Sequence, residues 1–411
     1  MTSIHLEMGG STVLVGTVHD AGHIGLAIEY DASYLARTDS YPISPDAPLQ
    51  SGVIAPTVTT QIGALADAQP DSWGRRVIGE ALFAAAQRQR RPLPQLRDID
   101  YLLAVDDETR QGALRISDDD GATFLATRNT VTPGIVELDR LTIAAQNFAE
   151  NRATDEDLRL LFEVGSSPGG AQPKVSVLNT AGHLAIAKIP TLWEPLGPSW
   201  EYVALEVAAQ CGINTPRHEL VGVADGTHLH VVERFDREAN GGRRGYISAR
   251  TLLMQGEHED ANYEMLASRV RHNSPSPDVD SEELYRRIAL TLYLNNIDDH
   301  TRNHGFLRER TGWRLAPVFD VNPTARSRST SGMGLRRRGQ QHGRGLRELL
   351  DMAGVFGLSR DRALQLIGQV DDGWRGWRVE ARSAGLDLEA VEYMTRAFEG
   401  PEHEEFLTLI T

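Results

Sequence analysis

The chain has 411 residues, enough for two or three domains with real cores. Its 42 basic and 57 acidic side chains leave a formal charge of −15, which argues against a general nucleic-acid binder but leaves room for one basic patch. A single cysteine, Cys211, excludes an intrachain disulfide framework or a multi-cysteine metal site, and the absence of a signal-like start or an apolar run near ~18 residues points to a cytoplasmic protein with no membrane association.

Residues 1–60 read as β-rich: STVLVGTV and HIGLAIEY are short β-branched runs joined by a turn at Asp20–Gly22. Pro42, Pro45, Pro48 and Pro56 mark irregular chain after them. From Asp71, WGRRVIGEALFAAAQRQRR has helical spacing of Val77, Leu82 and Ala85; RPLPQLRDIDYLLAV adds a short helix and GALRIS a strand. Loop composition around 118–134 predicts a domain boundary. Helices are expected over about 135–150 and 154–163, the second opened by Thr154 with three acids in its first turn. The glycine-rich turn Gly165–Lys174 then precedes two β-type segments, KVSVLN and HLAIAKIP. A helix over Ser199–Cys211 and a hairpin in HELVGVADGTHLHVVERFD follow. The pattern is helical from Ser281, read as the capping residue of SEELYRRIALTLYLNNI. The expected organisation is a β-rich module with helices over 1–125, a mixed lobe with the glycine-rich turn over 126–250, and a helical lobe over 251–411.

The most informative segment is NNIDDHTRNHGFL, Asn295–Leu307. Asp298 and Asn303 have the D-x-x-x-x-N spacing of a protein-kinase catalytic loop. There a carboxylate accepts the proton of an attacking hydroxyl, and an amide oxygen five positions on ligates magnesium on a triphosphate. Alone, the spacing equally describes a polar loop ending a helix. Asp320 closes the apolar stretch RLAPVF, read as a buried strand, where kinases place the metal-binding Asp of D-F-G; here the tripeptide is D-V-N. Lys188 ends LAIAK as the phosphate-pairing lysine ends V-A-I-K, and Glu201 and Glu206 on the next helix are both placed to pair with it. The glycine-rich turn offers backbone N–H groups to phosphate, but Ala171 after Gly170 disfavours a P-loop NTPase. His300 and His304 lack the Glu of H-E-x-x-H, which disfavours a zinc pair. Glycine-rich turn, strand lysine, helix glutamate, D-x-x-x-x-N and strand-ending Asp follow one another in the order of the kinase phosphotransfer parts.

On these segments the chain resembles the HipA family, the serine/threonine-kinase toxins of bacterial type II toxin–antitoxin systems. SSPGGAQPK is similar to the family's S-x-x-G-A-Q-x-K turn and VERFDR, Val232–Arg237, to a family strand. NIDDHTRNHGFL resembles its catalytic loop, GWRLAPVFDVNP its G-W-x-L-x-P-x-Y-D-x-N-P, and QPDSWGRRVI its P-D-x-W-G-R-R. The resemblance implies an α+β, protein-kinase-like bilobal fold, with a mixed N-lobe and an all-helical C-lobe behind a small β-rich N-terminal module. It implies ATP and Mg2+ as cofactors, Asp298 as catalytic base, and Asn303 and Asp320 as metal ligands. Lys188 would touch the nucleotide phosphates and Ser167, Gly169 and Gly170 would cover them; Glu201 is taken as the cofactor-binding member of the glutamate pair, and Glu233 and Phe235 fall near the family's adenine-binding segment. Ser167 aligns with the family's autophosphorylated serine, with Ser166 as the competing site. The resemblance further implies a small helix-turn-helix, HipB-like antitoxin as partner and a protein substrate, aminoacyl-tRNA synthetases being among the family's targets. The alternative is a catalytically silent corepressor that only docks on a DNA-binding antitoxin.

Residues 325–347 hold Arg326, Arg328, Arg336, Arg337, Arg338, Arg344 and Arg347 and no Asp or Glu. The segment follows Asp320, where kinases place an activation segment. It reads either as a loop engaging an acidic substrate, or DNA phosphates reached through the antitoxin, or as a solvated loop balancing an acidic chain. Trp73, Trp374 and Trp377 read as core anchors and Cys211 as a small buried apolar residue.

Overall fold

The computed structural model describes residues 2–22, 25–118, 121, 123–124, 132–164, 172–224, 226–256, 261–325, 333–335 and 345–410. The turn at 165–171, with Ser166, Ser167, Gly169 and Gly170, lies outside the described residues, as do the arginines of 325–347 except Arg347. The chain divides into two compact units. The first comprises Met1–Pro195, Val221–Ile247 and Met254–Glu257, the second Leu196–Leu220, Ser248–Leu253 and His258–Thr411.

The first unit opens with a five-stranded antiparallel sheet in the order β4-β3-β2-β1-β5, built from β1 (Thr2–Met8), β2 (Ser11–Asp20), β3 (Leu26–Tyr30), β4 (Val53–Ile54) and β5 (Leu114–Ser117). The β-branched runs form β2 and β3 as their composition requires, and Ile4, Leu6, Val15, Ile28, Ile62 and Leu102 fill the core beneath. Gly16 lets β3 approach: a Cβ there would sit 2.0 Å from the carbonyl oxygen of Glu29. The proline-rich stretch is stitched down by two tyrosines, the Tyr30 hydroxyl donating to Ala47 O at 2.7 Å and the Tyr34 hydroxyl to Tyr41 O at 2.8 Å.

A second core gathers Trp73 and Val77 of the helix Ser72–Arg88 with Leu141 and Phe148 of the helix Leu138–Ala149. Leu161 of the helix Asp155–Glu163 joins them, and Thr154 with Asp157 forms a capping box at the start of that helix. This core covers a four-stranded sheet in the order β6-β7-β9-β8, with β6 (Lys174–Leu178), β7 (Leu184–Lys188), β8 (His218–Gly222) and β9 (His228–Glu233). A short strand β10 (Tyr246–Ser248) comes next in the chain. The VERFDR motif is held by charge. Asp236, 2% exposed, lies 2.6 Å from Arg234 Nη2 and 2.9 Å from Arg237 Nη1, and accepts from the Gly112 N–H at 2.7 Å. Arg243 adds an ion pair to Asp107 at 3.1 Å. Burial works against the Asp236 carboxylate, yet Arg234 and Arg237 hold it well below the usual carboxylate range.

The second unit is mostly helical. The helix expected to be capped by Ser281 instead starts at Pro277 and runs to Tyr293; Ser281 is fully buried inside it. Proline supplies the first-turn φ without needing its missing N–H, and Asp278 and Asp280 occupy that turn. The unit also carries a hairpin that the helical pattern did not foretell, β11 (Gly305–Glu309) against β12 (Gly312–Leu315), so it is not all-helical. The expected strand RLAPVF ends at Leu315: Pro317 cannot donate to a ladder, and Asp320 follows in irregular chain. Trp374 and Trp377 are core residues, 8% and 2% exposed, and Trp377 stacks on Phe398 with ring centroids 4.4 Å apart. Cys211, 1% exposed, donates to Val370 O at 3.4 Å, and burial pushes its thiol up to about 12. Among the described residues no helix is long and apolar enough to cross a membrane.

Candidate active site

The chemistry-bearing residues fall in both units. In the first, Lys188 ends β7 and is 9% exposed. Its register partner on β6 is Lys174 and on β9 is His230, so three polar side chains share one face of the sheet. Glu233, at the end of β9, is half-buried; its Oε2 accepts from Asn179 Nδ2 at 3.1 Å and lies 3.1 Å from His183 Nδ1, both in the β6–β7 turn. Phe235 is half-buried with its ring 6.3 Å from that of Tyr246. Along VERFDR the buried Arg234 and Asp236 alternate with Glu233 and Phe235, so the ion network fixes one side of the chain and the other side carries the two residues assigned to adenine.

In the second unit, the helix Pro277–Tyr293 delivers the D-x-x-x-x-N loop. Asn295 closes that helix in left-handed backbone, φ 47°, and its Nδ2 donates to Thr324 O at 2.7 Å. Asp298 is exposed. Its backbone N–H donates to Asn296 Oδ1 at 3.3 Å and its carbonyl accepts from Asn303 Nδ2 at 3.2 Å. The D-x-x-x-x-N spacing thus closes a short loop on itself. With the amide nitrogen of Asn303 donating, Oδ1 is the atom of that side chain left to accept or to ligate.

Beneath the loop, Asp299 is 5% exposed; its Oδ2 accepts from the Tyr263 hydroxyl and lies 3.1 Å from His304 Nε2. Burial raises its carboxyl, but His304, Tyr263 and His300 outweigh that and hold it below its ordinary value. The Asp299 carbonyl accepts from Met333 N at 2.8 Å, and Tyr263 N and Glu264 N donate to Gly334 O and Leu335 O at 3.0 and 3.1 Å. The middle of the arginine-rich segment is therefore pinned beside Asp298.

Asp320 also has left-handed backbone, φ 57°, a conformation Asp tolerates better than most residues. Its N–H donates to Glu201 Oε1 at 3.1 Å, and its Oδ1 accepts from Asn322 Nδ2 at 3.3 Å. Glu201 is 1% exposed, on the helix Gly197–Gln210; Glu206 on the same helix lies 3.5 Å from His218 Nε2. Asn303 and Asp320 offer only hard oxygen donors, the set that suits Mg2+ sharing its shell with phosphate and water. Among the described residues no group of three His, Cys, Asp or Glu side chains could hold a metal by itself. The sequence signalled Asp298, Asn303 and Asp320; Tyr263, distant along the chain and in no motif, carried no signal at all.

The fold and this loop place the chain in a known class. Residues 166–377, just over half of the chain, match the model of the HipA-like C-terminal domain, and the chain belongs to that family. It superposes on a HipA chain from Shewanella oneidensis MR-1, solved in a toxin–antitoxin complex with HipB and operator DNA. That match has a TM-score of 0.71 and 15% identity over 99% of this chain and 98% of that one, and shows the fold. A Haemophilus influenzae protein named "Putative kinase" is 23% identical over 180 residues, 38% of this chain and 52% of that protein, so the chain spans about half the length of this curated relative. The Helicobacter pylori proinflammatory kinase CtkA aligns with a TM-score of 0.41 and 14% identity, over 59% of this chain and 91% of that one.

Proposed function

We propose that the chain is an ATP- and Mg2+-dependent protein serine/threonine kinase acting as the toxin of a type II toxin–antitoxin module. The observation that carries this reading is the closed Asp298–Asn303 loop, with an exposed carboxylate and an amide oxygen left to accept or to ligate, together with Asp320 in left-handed backbone. Asp298 orients the attacking hydroxyl and takes its proton; Asn303 and Asp320 would hold magnesium, which would supply positive charge to the transferring phosphoryl group. Lys188 pairs the phosphates, Glu201 holds Asp320 in place, and Glu233 and Phe235 border the adenine. Ser167, Gly169 and Gly170 cover the phosphates, and Ser167 is the autophosphorylated serine. The family and the HipB-bound structural relative support a small DNA-binding, HipB-like antitoxin as partner and a cytoplasmic setting. The substrate is a protein, with aminoacyl-tRNA synthetases as the class the family suggests. DNA is met through the antitoxin, with the Arg326–Arg347 segment as a second point of contact.

Transfer of γ-phosphate from labelled ATP, with mass-spectrometric mapping of Ser166 and Ser167, tests this. Asp298→Asn should lower transfer by at least about 100-fold, the scale of a lost general base, with an unchanged melting curve because Asp298 is exposed. Asp320→Asn keeps a residue that tolerates left-handed backbone and should lower it similarly. Wild-type rates in both variants would remove Asp298 and Asp320 from these roles, and a wild-type protein that transfers no phosphate and shows no Mg-ATP thermal shift would leave the silent-corepressor reading in its place.

A further inference from the structure

The P-D-x-W-G-R-R motif lies far along the chain from the catalytic loop, yet it reaches the sheet that carries Lys188. Asp71 caps the helix Ser72–Arg88, its Oδ1 accepting from the Gly74 N–H at 2.6 Å. Its Oδ2 lies 3.0 Å from Lys174 Nζ, in a pair whose side chains are 6% and 4% exposed. Two residues on, the Trp73 indole N–H donates to the Lys174 carbonyl at 3.1 Å. Lys174 is thus gripped by side chain and backbone. It is also the first residue of β6 and the register partner of Lys188 on β7. Residues directly opposite on antiparallel strands project from the same face with Cβ atoms ~5 Å apart, and two like charges so placed repel. A lysine is a mobile point charge on a long stem, so an unrestrained Lys174 could swing to any phosphate that Lys188 reaches.

We propose that Asp71 is a positioning residue that sequesters Lys174 and so limits the phosphate-binding face of this sheet to one ammonium, that of Lys188. This rests on the reading of Lys188 as the phosphate contact. Its consequence is a triphosphate site of restrained affinity, from which the diphosphate product can leave.

The test compares affinities for the non-hydrolysable analogue adenylyl imidodiphosphate and for adenosine, by titration calorimetry on the full chain; their ratio isolates the phosphate contribution. Asp71→Asn keeps a side chain that caps helices as well as Asp does and removes only the charge. It should tighten the analogue at least threefold and leave adenosine unchanged. In Asp71→Asn/Lys174→Met the gain should vanish, which a merely structural role for Asp71 does not predict. No gain in Asp71→Asn, or a gain that survives in the double variant, overturns the proposal. Should Asp71→Asn fail to fold, Lys174→Met alone decides: a preference within twofold of wild type supports sequestration, and a larger fall puts Lys174 on the phosphates. Lys188→Met separately checks the underlying reading, which predicts at least a tenfold fall in preference; an unchanged ratio there removes Lys188 from the site whatever the Asp71 cycle gives.

Discussion

Asp299 keeps a charged carboxylate inside the protein because two donors, the Tyr263 hydroxyl and His304 Nε2, meet one of its oxygens. Its pKa is lowered in the folded state, so it stabilises the fold above the unfolded value of ~4 and loses that contribution as pH falls through the lower folded value. Asp299→Asn should therefore cost about 1.5–3 kcal/mol in urea melts at pH 7, the scale of charge-assisted hydrogen bonds. The gap to wild type should close below pH 4; a gap that is constant with pH would remove the charge from this account. Its neighbour Asp298 is exposed and invites no such penalty. The two adjacent carboxylates in N-I-D-D-H look alike in the sequence. Only the fold tells which one faces solvent and which one braces the loop, because the bracing tyrosine comes from a different helix, Tyr263–Asn273.

At the scale of elements, close approach matters more than composition. Gly373, near the end of the helix Arg360–Trp374, meets the end of the helix Gly197–Gln210 so tightly that a Cβ would lie 2.6 Å from Cys211 N and 2.7 Å from Gln210 O. Both are backbone atoms and cannot rotate away. Gly373→Ala is expected to cost about 1–3 kcal/mol by overpacking, measured as a lower urea midpoint. Gly354→Ala has open space around its Cβ and should stay within ~0.5 kcal/mol of wild type. Elements with local signals were legible in the sequence: β2 and β3 from β-branched runs about a turn, the helix Asp155–Glu163 from its Thr154 cap, and β6 and β7 from apolar runs about Asn179–Gly182. Those stabilised from a distance were not. Strand β1, IHLEM, alternates apolar and polar residues, but its place between β2 and β5, which pair with it on either side, is not written in that pattern. The β11–β12 hairpin, HGFLRERTGWRL, is masked by charged residues in a stretch of helical neighbours. The candidate site divides the same way. Spacing exposed Asp298 and Asn303, whereas the bonds from Asp71 to Lys174 and from Glu201 to Asp320 join residues that no local pattern connects.

For the molecule as a whole, the VERFDR network is the long-range fastening of the first unit. Asp236, Arg234, Arg237 and Arg243 bind the chain at Asp107–Gly112, and Arg243 N donates to Glu7 Oε1 at 3.1 Å. Asp236→Ala leaves buried guanidinium groups without their counter-charge and should destabilise the protein by about 3–5 kcal/mol, read as a fall in melting temperature. Charge reversal of exposed Glu156, which pairs with exposed Arg140 and sits in the first turn of its helix, should cost no more than about 1 kcal/mol.

That fastening also sets a timetable for biosynthesis. The first sheet can pair β1 with β5, and Arg115 can reach Asp107, once residue 117 has left the ribosome, but Glu7 waits for Arg243. At roughly 5–20 residues per second, the nascent chain spends on the order of ten seconds with Glu7 lacking that partner and its opening domain half-locked. A chaperone or an early-binding ligand that acts in this interval meets a different surface from the one the finished protein presents.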